Sequence, residues 1–66
     1  MTTEPRYFRV RWRLLGGHYH VRIFSGQHPD GSFTMLGKLI LDENDWAALA
    51  HILAASDLVT ILGESS

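Results

Sequence analysis

What most constrains this chain is an alternation of bulky apolar residues and arginines on either side of a glycine pair. It reads R-V-R-W-R-L-L-G-G-H-Y-H-V-R-I-F over residues 9–24. Successive side chains of a β-strand point to opposite faces, so Phe8, Val10, Trp12 and Leu14 share one side of a first strand over about 6–15. Arg9, Arg11 and Arg13 share the other. Gly16 and Gly17 both tolerate positive φ, which two-residue hairpin turns of the right twist require. A turn there sets Arg13 opposite His20 and Arg11 opposite Arg22. One face of this ribbon has to be covered, and the other is crowded with guanidinium groups.

The rest of the chain supplies the cover. A second strand over about 18–25 turns Tyr19, Val21 and Ile23 toward the core. The segment S-G-Q-H-P-D-G-S that follows is a loop built around a P-D-G turn. A third strand over about 32–41 is expected to point Phe33, Met35, Leu39 and Leu41 inward and Lys38 outward. Gly37 within it marks a bulge or a close backbone approach. Leu36 and Ile40 then join Phe24 on the outer face, where apolar groups beside arginines favour a partner surface over bare solvent. Asp42 is suited to cap a helix over about 43–55, with Glu43 and Asp45 at the positive end of its dipole. Trp46, Leu49, Ala50 and Leu53 form its apolar stripe, widened by Ile52, and Trp46 is expected to pack on Trp12. In the tail, Val59, Thr60 and Ile61 favour a strand over Leu58–Leu62, with pairing across a dimer interface as one arrangement. A short helix capped by Ser56 or Asp57 is the competing reading. The expectation is a single α+β domain over 1–66: a three-stranded antiparallel meander with one helix packed on one face (β-β-β-α), extended by a fourth C-terminal strand. Residues 1–5 read as a flexible lead and 63–66 as a flexible tail.

Size makes such a domain marginal. A chain of 66 residues buries only about 60% of its unfolded surface. With no cysteine, disulfides cannot support it, so self-association is a natural remedy and a homodimer is expected. No apolar run approaches the roughly 20 residues of a membrane span, and Met1-Thr-Thr-Glu-Pro lacks a signal-peptide pattern. A cytoplasmic location without a membrane partner follows as an expectation. Net charge is −1, but four of the six Lys/Arg residues (Arg9, Arg11, Arg13, Arg22) fall on the outward hairpin face. Segregated charge gives a local field that the near-neutral total conceals.

The candidate binding residues are therefore Arg9, Arg11, Arg13, His18, His20, Arg22, Phe24 and Lys38. Arg11 opposite Arg22 is an unfavourable cross-strand pair, so a nearby carboxylate, an acidic partner protein or phosphates should compensate it. His18 and His20 project to one side of a strand, with His28 and Asp30 in the following loop, yet a zinc site needs three or four ligands at recognisable spacing. No metal and no cofactor are assigned, and His51 reads as a surface group. There is no thiolate nucleophile, no serine has a histidine and carboxylate convincingly placed, and Asp42 and Asp45 are explained by helix capping. Glycine-rich phosphate loops are missing. The reading is non-enzymatic.

The stretch G-G-H-Y-H-V-R-I-F at 16–24, followed by Gly37-Lys38-Leu39 and Asp45-Trp46, resembles a pattern in short open reading frames of tailed bacteriophages. There, G-G-H-x-H-V-R-hydrophobic-F precedes a loop, a G-K-L strand and a helix beginning near E-W or D-W. The resemblance covers roughly residues 6–54 and leaves out the tail from Leu58. It implies a phage accessory protein in the host cytoplasm and brings no catalytic residues. The expected function is a small interaction protein that binds or inhibits a host macromolecule, most simply a host protein, through its arginine-rich sheet face. A nucleic-acid or anionic-nucleotide binder using the same arginines is the alternative, and a virion or structural component is the third.

Overall fold

The computed structural model of the chain describes residues 5–64. Its elements are β1 (Tyr7–Leu15), β2 (His18–Gly26), β3 (Thr34–Leu41), α1 (Glu43–Ala54) and β4 (Val59–Gly63). The four strands form one sheet in the order β3-β2-β1-β4. Gly16 and Gly17 both take positive φ, 57° and 82°, and this tight turn sets the ladder Leu15↔His18, Arg13↔His20 and Arg11↔Arg22. Period-two alternation then puts Val10, Trp12, Tyr19 and Val21 on the inner face.

β4 pairs in parallel with β1 of the same chain, Phe8↔Val59 through Trp12↔Gly63, and forms one edge of the sheet. Parallel neighbours need a long crossover. Here α1 provides it, carrying the chain over the inner face from one sheet edge to the other. The helix begins at Asp42, whose carboxylate accepts from the Asp45 N–H at 2.8 Å. Gly63 ends β4 against Trp12: a Cβ there would lie 2.8 Å from Trp12 Cζ2, so only glycine lets the strand close over the indole. The tail starts later than expected, since the Glu64 N–H donates to the Trp12 carbonyl at 2.8 Å. Ser65 and Ser66, like most of the N-terminal lead, lie outside the described residues.

The core is small. Val10, Val21 and Trp46 are its buried hydrophobics, with Trp12, Tyr19, Ile23, Leu49 and Leu53 packed around them. The Trp12 and Trp46 rings sit with centroids 6.0 Å apart, and Tyr19 is 5.5 Å from Trp12, completing an aromatic cluster between sheet and helix. Ile52 does not widen the buried stripe. It is 68% exposed, because it lies off the arc through Trp46, Leu49 and Leu53 that meets the sheet.

Register in β3 departs from the sequence expectation at one point. A bulge at Leu36 breaks the β2–β3 ladder, so that Ile23 pairs with Gly37 but Phe24 pairs with Met35. One extra residue moves everything before it to the opposite face. Met35, expected inward, therefore lies on the outer face with Phe24, and Phe33, also expected inward, stacks beneath the Arg9 guanidinium at 4.0 Å. From Gly37 to Leu41 the expected register holds, with Leu39 inward and Lys38 and Ile40 outward.

Candidate functional site

The outer face is a lattice of cross-strand rows. One row runs Arg13, His20, Ile40; the next runs Leu62, Arg11, Arg22, Lys38; a third runs Thr60, Arg9, Phe24, Met35. Five of the six Lys/Arg residues thus occupy one face of the sheet. The sixth, Arg6, donates to the buried Ser25 Oγ at 3.1 Å.

The strain of placing Arg11 opposite Arg22 is relieved from within the chain. Glu64, one residue past β4, reaches across the face, and both of its carboxylate oxygens accept from Arg22 Nη2, at 2.6 and 2.7 Å. Arg11 Nε stands 3.4 Å from the same carboxylate. Among the compensations considered from sequence was a nearby carboxylate, and Glu64 supplies one. Glu64 was missed because it falls where a tail was expected. Its signal lay in the spacing Thr60, Leu62, Glu64, which shares the outward parity of the arginines once β4 is laid beside β1.

Two ends of the face remain distinct. At one, Arg9 is held by the loop, with its Nη2 donating to the Pro29 carbonyl at 3.3 Å and its plane over Phe33. Phe24 is half-buried beside it. At the other end, Arg13, His20, Arg22 and Lys38 converge with Leu15 and Ile40 around a groove of about 420 Å³. Arg13 Nε is buried there without a hydrogen-bond partner. Leaving a buried charged donor unpaired is costly, and the half-buried Arg13 side chain stands beside the exposed Lys38 on this face. Among the described residues neither Arg13 nor Lys38 makes an ion pair.

The structure thus brings together Arg13, His20, Arg22 and Lys38 from the candidate residues, and separates Arg9 and Phe24 from them. Arg11 lies between, committed to Glu64. His18 is exposed at the turn, with Nδ1 3.3 Å from the Gly16 carbonyl oxygen, and does not line the groove. No group of three or more His, Asp or Glu suited to a metal occurs among the described residues. Nor is any described helix long and apolar enough to cross a membrane. Compared with known protein families, curated proteins and solved structures, the chain finds no match.

Proposed function

We propose that this chain is a non-enzymatic interaction protein whose outer sheet face docks on an acidic protein surface, with partner carboxylates entering the groove between Arg13, Arg22 and Lys38. A phage accessory protein acting on a host protein is the setting that the G-G-H-x-H-V-R pattern suggests for it. The observation that carries the reading is the unpaired, partly buried Arg13 beside Lys38, on a face where Glu64 already satisfies Arg22 and Arg11.

A protein partner is favoured over nucleic acid by what lies among the cations. Ile40 and Leu62 are exposed there, and mixed apolar and arginine surfaces are the composition of protein interfaces. Single-stranded nucleic acid is held by bases stacked on open aromatic rings, whereas one face of Phe33 is covered by Arg9.

The test is a titration of fluorescent poly-glutamate peptide and of single-stranded oligonucleotide at low and moderate salt. Wild type and the double variant Arg13→Glu/Lys38→Glu are compared. Peptide binding that the double variant abolishes, with its circular dichroism unchanged, supports the reading. Oligonucleotide binding that is tighter than peptide binding and falls steeply with salt replaces it with the nucleic-acid alternative. Absence of binding to both at low salt removes it.

A further inference from the structure

We infer that the inner side of the sheet carries a second site, which takes a single-chain carboxylate amphiphile of the fatty-acid class. Two neighbouring recesses make it up. The first is an apolar cavity of about 360 Å³ between α1 and the sheet, walled by Phe8, Ile23, Leu39, Leu49 and Leu53. Among its described lining residues only Ser56 is polar, and that hydroxyl already accepts from the Leu58 N–H at 3.2 Å. Leu58, also a wall, is 37% exposed, so the cavity opens to solvent. The second is a polar recess of about 350 Å³, lined by Arg6, Ser25, Gln27, His28, Ser32 and Thr34.

The ladder joins them. Phe8 of the cavity faces Ser25 of the recess across β1 and β2, and Thr34 follows in the same row on β3. Opposed residues of an antiparallel pair have Cβ atoms about 4.5–5.5 Å apart, so a chain leaving the apolar walls meets the polar groups directly. Ser25 is 6% exposed, and its hydroxyl accepts from Arg6 Nη1 at 3.1 Å. That contact holds the guanidinium on the inner face, where parity also puts it, two residues before Phe8. A guanidinium carries further N–H donors, and among the described residues Arg6 makes no ion pair.

The chemistry of the walls selects the occupant. Folded interiors keep few voids larger than a water, and a cavity of this size falls in the range that holds small molecules. Water gains no hydrogen bond from these walls, whereas moving methylenes out of water onto them is favourable. Neither recess is lined by Asp or Glu, so a carboxylate head meets Arg6 and the hydroxyls of Ser32 and Thr34 without a like charge among them. Asp57 lies between two lining residues of the cavity but is exposed and lines neither recess. A cationic or uncharged head would leave Arg6 unanswered. The site is distinct from the groove around Arg13, Arg22 and Lys38, which opens on the other face of the sheet.

Isothermal titration of the full chain with decanoate, decanol and decyltrimethylammonium, each below its micelle-forming concentration, tests the assignment. Wild type should bind decanoate saturably, and should bind decanol and the cation about tenfold or more weakly. Arg6→Gln should weaken decanoate to the level of decanol and leave decanol unchanged, with its circular dichroism native. Leu53→Phe, which fills the cavity, should weaken both, and the Arg6→Gln comparison needs no change in the core. Arg13→Glu/Lys38→Glu should bind decanoate as wild type does, which separates this site from the outer groove. Absence of saturable decanoate binding to wild type overturns the proposal. So does decanol bound as tightly as decanoate, or a decanoate affinity that falls in Arg13→Glu/Lys38→Glu and not in Arg6→Gln.

Discussion

Replacing Glu64 by Gln keeps its shape and removes its charge, which isolates what the carboxylate does between Arg11 and Arg22. Its oxygens lie 2.6 and 2.7 Å from Arg22 Nη2 and 3.4 Å from Arg11 Nε. The carboxylate is 14% exposed, while the Arg22 and Arg11 side chains are 38% and 49% exposed. Near a protein surface the gross attraction of one such pair is about 4 kcal/mol. Hydration of the half-exposed guanidinium groups and the entropy of holding long side chains reduce this to the order of 1 kcal/mol net. Repulsion between the facing arginines, no longer screened, adds a few tenths. Glu64→Gln should therefore cost about 1–2 kcal/mol, which lowers Tm by about 4–8 °C for each kcal/mol in a domain of this size. Urea unfolding of Glu64→Gln, Arg22→Gln and the double variant should give a coupling energy of about 1 kcal/mol. Raising salt should narrow the gap between wild type and Glu64→Gln. A single variant as stable as wild type, or a coupling near zero, refutes the view that the tail neutralises this arginine pair.

Trp46→Ala removes the one buried residue that α1 contributes and should cost about 3–5 kcal/mol, leaving so small a domain largely unfolded by circular dichroism at room temperature. Gly63→Ala drives a methyl into the Trp12 indole and should cost about 1–3 kcal/mol, read as a fall in urea midpoint with a change in tryptophan fluorescence. Asp42→Ala removes the acceptor for the Asp45 N–H and should cost about 1 kcal/mol, seen as a lower Tm with the sheet register unchanged by NMR.

How much of this was legible in the sequence follows from the range of the signals. Strand alternation and the glycine pair are local, so the hairpin, its register and the arginine face could be read directly from residues 9–24. The Asp42 cap and the helix stripe from Trp46 to Leu53 are equally local. The bulge at Leu36 was half visible: Gly37 announced an irregularity, but not which residue would be extra, and that choice alone decides the face of Met35 and Phe33. Nothing near Glu64 in sequence reports that its strand will lie parallel to β1. That placement is set by α1 crossing the whole sheet, a long-range constraint that neither propensity nor alternation encodes.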